Sequence, residues 1–119
     1  MAISTQSLAV DPDGWAVNAT SSDASGGEEL EAAPGTGKRL ILQELYLSAN
    51  QSAAAIIDSR ASATATITRM AGPILLQLRH GNVGRQYIRG VKALVNEAIF
   101  ITSSGSSYIN VYASGVIKT

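Results

Sequence analysis

The sequence predicts an all-β chain: an antiparallel β-sandwich or jelly roll of seven to nine short strands, with an N-terminal arm. Three observations lead there. Apolar residues recur at alternate positions in short runs rather than at helical spacing. Clusters of Gly, Pro, Asp, Asn and Ser separate those runs at regular intervals. Side chains are small: Ala, Ser, Thr and Gly supply 51 of 119 residues, and only 15% are charged, which leaves few of the long charged pairs that favour helices. The length is that of one domain, read as an arm over residues 1–12 and a sandwich over residues 13–119. A chain of this size buries about two-thirds of its unfolded surface, enough for one modest core.

The first 37 residues are dense in turn formers, including Asp11-Pro12-Asp13-Gly14 and Pro34-Gly35-Thr36-Gly37. Short extended pieces fit between them, over residues 15–20 and 28–33, as edge strands. Residues 40–48 read as a strand with apolar residues on both faces, as expected for burial on both sides. Asn50-Gln51-Ser52 ends it, and a short strand follows at residues 54–58. Residues 63–70 alternate Ala63, Ala65 and Ile67 with Thr64, Thr66 and Thr68; branched Thr suits an exposed strand face, so a strand is expected. Gly72-Pro73 is expected to turn the chain. Ile74, Leu76 and Leu78 then face one way, and His80 to Gly84 reads as a loop.

Residues 85–99 carry near-helical spacing at Ile88, Val91, Leu94, Val95 and Ala98. Gly90 would cost about 1 kcal/mol inside a helix, and no clear N-cap precedes it. A short strand, a loop through Asn96 and a strand over 98–102 is preferred, with a helix as the other reading. Residues 103–107 read as a hairpin loop. The last strand is clear: Ile109, Val111 and Ala113 on one face, Tyr108, Asn110 and Tyr112 on the other.

The formal net charge is zero, but it divides. Residues 1–31 contain Asp11, Asp13, Asp23, Glu28, Glu29 and Glu31 and no Lys or Arg. The remaining residues contain all nine basic side chains against Glu44, Asp58 and Glu97. The acidic leader either rests on its own domain's basic surface or contacts a neighbouring molecule. The absence of a basic excess argues against nucleic acid. No run approaches the roughly 18 apolar residues a membrane span needs, and the N-terminus lacks the pattern of a signal peptide.

Catalytic and metal chemistry find little support. There is no Cys, and His80 is the only His, so neither a thiolate nor a His cluster is available for a metal. A Ser-His-Asp triad would have to use His80, and no Gly-x-Ser-x-Gly elbow accompanies it. Pro34-Gly35-Thr36-Gly37-Lys38 looks like the end of a phosphate-binding loop. However, Ala32 occupies the first Gly position, Arg39 the Ser/Thr position, and a strand follows instead of a helix. It reads as a turn with Lys38 and Arg39 at its base. No cofactor is expected. Trp15 reads as a core plug or, alternatively, as an interface anchor. Dispersed Arg residues read as braces for carboxylates or for an interface.

Three stretches carry a family likeness. They are Glu29-Leu30-Glu31-Ala32-Ala33-Pro34-Gly35-Thr36-Gly37-Lys38-Arg39-Leu40 continuing through Leu45-Tyr46-Leu47-Ser48; Ile88-Arg89-Gly90-Val91 leading to Asn96-Glu97-Ala98-Ile99; and Tyr108-Ile109-Asn110-Val111-Tyr112-Ala113-Ser114-Gly115. In these the chain resembles small structural proteins of tailed bacteriophages, especially head decoration (cement) proteins of β-sandwich or jelly-roll type. The resemblance implies a homotrimer on the outer capsid surface, made in the host cytoplasm, that bridges major capsid protein subunits at threefold positions and catalyses nothing. Candidate interface residues are Asp11, Asp13, Trp15, Glu28, Glu29 and Glu31 from the leader, and Lys38, Arg39, Arg85 and Arg89 from the basic part. Two other readings are open. One is a phage tail or receptor/carbohydrate-binding module, for which Tyr108 and Tyr112 on one face would be the stacking platform. The other is an enzyme with His80 and a carboxylate in one pocket.

Overall fold

A computed structural model describes residues 3–8, 10, 12–21, 26–50, 52–76, 83–104 and 108–119, with residues 83, 85, 86, 88 and 89 described by backbone alone. The described elements are nine strands: β1 (Ile3–Ser7), β2 (Gly14–Ser21), β3 (Glu28–Glu31), β4 (Arg39–Ala49), β5 (Ala53–Arg60), β6 (Thr68–Leu76), β7 (Val83–Lys92), β8 (Ala98–Ser103) and β9 (Ile109–Lys118). They form two antiparallel sheets, ordered β1-β2-β9-β4-β7 and β3-β8-β5-β6.

This order has a simple origin. The pairs β5–β6, β4–β7, β3–β8 and β2–β9 nest inside one another, as in one long hairpin. Rolling that hairpin sets β9 beside β4 in one sheet and β8 beside β5 in the other. The result is the jelly-roll winding. β1 adds a fifth strand outside β2, so residues 3–7 of the stretch read as an arm are paired into the sheet.

The core lies between the sheets. Trp15, Val17, Leu40, Leu42, Leu45, Leu47, Ile109 and Val111 enter it from one side, and Leu30, Ala55, Ile57, Ile74, Leu76, Ile99 and Ile101 from the other. β4 shows why its sequence looks apolar on both faces. Leu42 pairs with Gly115 and Glu44 with Ser114, so Gln43 is an extra residue. That bulge moves the inward set from positions 40 and 42 to positions 45 and 47.

Three expectations are corrected. The stretch at 15–20, read as an edge strand, is part of β2 and lies between β1 and β9. Of the strand expected over 63–70, only residues 68–70 are in a strand, the start of β6; residues 61–65 form turns and bends. The Ala/Thr alternation has the strand period, but its one sizeable apolar side chain, Ile67, is 55% exposed. Gly72-Pro73 does not turn the chain but lies within β6, with a cis peptide between the two residues. β6 is a sheet edge, and the register slips between Ala55 and Ile57 opposite the proline. A missing N–H is tolerated at such a place. The preference for a short strand, a loop through Asn96 and a strand over 98–102 is borne out: β7 ends at Lys92 and β8 starts at Ala98. Of the loop read at 80–84, residues 80–82 lie outside the described residues, and Val83 and Gly84 already belong to β7; of the hairpin loop read at 103–107, Ser103 ends β8 and residues 105–107 lie outside the described residues.

Candidate functional site

The sandwich separates the charges that the sequence divides. β3 is an edge strand bearing Glu28, Glu29 and Glu31. Glu28 turns inward, is 8% exposed, and accepts a 2.5 Å hydrogen bond from Ser21 Oγ. It closes the β2–β3 connection from inside and presents little to a partner. Glu29 points outward, and Glu31 is half-buried. Burial pushes the Glu31 carboxyl above its ordinary pKa, and the neighbouring Glu29 charge pushes the same way.

The basic candidates gather elsewhere. Arg39 and Lys118 face each other across β4 and β9, Lys38 precedes Arg39, and Lys92 pairs with Ile41 two residues along. Like charges directly opposite repel. Asp13 stands near this corner: its carbonyl accepts from Ile117 N–H, and it borders a shallow cavity of about 250 Å³ with Lys38 and Lys118. Among the described residues, however, the one ion pair is Asp58–Arg60, and neither member belongs to the leader. The leader therefore does not neutralise the basic corner through described ion pairs. Asp11 and the side chains of Arg85 and Arg89 lie outside the described residues.

Trp15 is in the core, 3% exposed, with Nε1 donating to the Ile41 carbonyl at 3.1 Å. It acts as the plug between β2 and β4 rather than as a surface anchor. The Gly-rich turn before β4 is tied to the loop before β8. Gly35 N–H donates to Asn96 Oδ1 at 3.0 Å, Lys38 N–H donates to the Gly35 carbonyl, and Asn96 N–H donates to the Lys38 carbonyl. Asn96 adopts a left-handed φ of 53° to make this clasp. Two of the turn's amides are thus already committed, and a strand follows, as its sequence suggests. His80 lies outside the described residues, and no group of three or more His, Cys, Asp or Glu side chains placed to hold a metal occurs among those described. No helix of the described residues is long and apolar enough to cross a membrane.

The outer face of the five-stranded sheet carries a feature that sequence spacing missed. The register aligns Gln6, Asn18, Tyr112, Tyr46 and Gly84 in one row across all five strands. Ser4, Thr20, Asn110 and Ser48 form the next row. Tyr112 therefore partners Tyr46, with ring centroids 6.1 Å apart and planes inclined by 47°. Tyr108, expected as its partner, sits beyond the strand end. Only the β4–β9 register brings Tyr46 and Tyr112 together, and no local pattern encodes it. No family model, curated protein or solved structure matches this chain.

Proposed function

We propose that this chain is a non-enzymatic structural protein of a tailed-phage virion. It decorates the outer capsid surface as a homotrimer and stabilises the head by bridging major capsid protein subunits. The observation that carries the reading is charge left uncompensated at two separate places, the β3 edge and the corner where β4 starts and β9 ends. Glu29 and Glu31 on β3 have no ion-pair partner among the described residues, and neither have Lys38, Arg39 and Lys118 at the other corner. A basic surface against β3 would relieve the Glu29–Glu31 repulsion. An acidic one at the corner would relieve the Arg39–Lys118 repulsion.

The jelly roll supports the same role. It is an architecture of viral capsid domains as well as of lectins, and its edges must be protected from indiscriminate pairing. Symmetric assembly covers edges, and three linked copies turn weak contacts into firm attachment through high effective concentration. No cofactor is required.

The test uses undecorated heads, assembled without this protein from the major capsid protein of the phage that encodes it. Added wild-type chain should raise the temperature at which the heads release DNA. The folded double variant Glu29→Lys/Glu31→Lys should raise it much less. Heads that open at the same temperature with and without saturating wild-type protein would overturn the reading.

A further inference from the structure

A second surface on this molecule has the chemistry of a ligand site. The rows led by Gln6 and Ser4 border a groove of about 410 Å³ on the outer face of the five-stranded sheet. That is within the size range of small-ligand sites. None of the residues lining it carries a charge. Tyr46 is 38% exposed at its margin, tilted against Tyr112. The side chains of Gln6 and Asn18 stand exposed and make no hydrogen bond to another described residue. Asn110 is oriented: its Oδ1 accepts from Thr20 Oγ1 at 3.0 Å, which leaves its NH₂ to donate outward.

We infer that this groove binds a neutral saccharide, with one sugar ring against the Tyr46–Tyr112 pair and its hydroxyls on the amides of Gln6, Asn18 and Asn110. Each part of that ligand answers a part of the groove. An amide offers both donor and acceptor, and a sugar hydroxyl needs both. A tyrosine face is apolar with a polar tip, which suits a ring that has a C–H face and a hydroxyl rim. A charge-free lining disfavours phosphates, nucleotides and acidic peptides, which call for Arg, Lys or a helix N-terminus. A polar lining disfavours lipid tails.

Gly84 fixes the aromatic side of the site. A methyl group there would lie 2.7 Å from Tyr46 Cε1, so the ring rests directly over the glycine. Alanine at this position must displace the ring. The groove and the acidic edge strand lie on different sheets, so a saccharide and a capsid contact do not compete for the same residues. The inference stands independently of the capsid reading.

The isolated full chain is titrated with three neutral oligomers, maltohexaose, cellohexaose and a galactose hexamer, and with anionic polygalacturonate as a control. Calorimetry measures affinity, and amide NMR shifts map the site. At least one neutral oligomer should bind saturably with a Kd on the order of 1 mM or tighter. The shifts should centre on β2, β4 and β9. Tyr112→Ala and Tyr46→Ala should each weaken that binding by about tenfold, and Gly84→Ala should weaken it while the chain stays folded. Leu75→Ala, on the other sheet and 68% exposed, should leave it unchanged. No saturable binding by any of the three would overturn the inference. So would binding that survives Tyr112→Ala, or equal binding of polygalacturonate.

Discussion

Arg60 shows how much a single side chain organises. Its Nε donates to Asp58 Oδ1 at 2.7 Å and its Nη2 to Asp58 Oδ2 at 3.2 Å. Nη2 also reaches Thr102 Oγ1, Nη1 reaches the Ala63 carbonyl, and the guanidinium lies 5.0 Å from the Phe100 ring centre. The pair is buried, 4% exposed at Arg60 and 1% at Asp58. One residue thus joins β5 to β8 and holds down the 61–67 turn. Arg60→Ala strands a buried carboxylate, and urea unfolding should show a loss of about 3–5 kcal/mol. A loss under about 1 kcal/mol, the usual worth of a surface pair, would show that the bracket is not structural. The sequence reading of dispersed arginines as braces for carboxylates holds at Arg60, whereas Arg69 makes no ion pair among the described residues. It could not single out Arg60, because the brace depends on β8 lying beside β5.

Glu31 gives the opposite case, a carboxylate held at a cost. Its raised pKa means that the folded chain binds the proton more tightly than the unfolded chain does. Its contribution to stability is therefore full below the ordinary carboxylate range and is lost as the pH rises through the folded value. Glu31→Gln should melt higher than wild type at neutral pH. That advantage should shrink as the pH is lowered, read by thermal unfolding across a pH series. A difference that does not change with pH would contradict this account.

At the scale of elements, what was legible depended on whether the pattern was local. β8, β9 and most of β4 announce themselves through β-branched and apolar runs. The bulge at Gln43 was not legible, because it is defined by two neighbours: Leu42 and Glu44 flank it against β9 and again against β7. On β7, the left-handed Gly90 (φ 76°) falls in the matching irregular stretch, with Ile41 Cγ2 packed where a Cβ would stand. The same crossing explains Gly115. It lies on β9 between Trp15 of β2 and Leu42 of β4, and a methyl group there would run into the Ile41 carbonyl. That carbonyl accepts the Trp15 indole hydrogen bond. Gly115→Ala should therefore disturb three strands at once and cost more than about 2 kcal/mol in chemical unfolding. A fully stable variant would mean that the bulge is not held as described. In β6, by contrast, Gly72-Pro73 suggested a turn, and only the strand's place at a sheet edge makes the proline acceptable.

At the scale of the molecule, the class of fold was readable and its winding was not. Nine short strands with regular turns restrict the chain to a few all-β architectures. The choice among them lies in the nested pairing, where β2 meets β9 from the far end of the chain. The Tyr46–Tyr112 groove inherits that limit, since it exists only once β4 and β9 are neighbours. The charge division, in contrast, was visible from composition. The roll adds that the acidic strand and the basic corner end up on different sheets, without described ion pairs between them. An acidic edge and a basic corner without described ion pairs suit the proposed role as an assembly subunit, for which a homotrimer is the proposed unit. The most direct measurement is the number of copies bound at saturation to undecorated heads, counted after sedimentation away from free protein. Saturable binding in threes at each occupied position, lost on reversing the charge of Glu29 and Glu31, is the predicted result. Heads that sediment without the chain at saturating concentration would contradict the assignment.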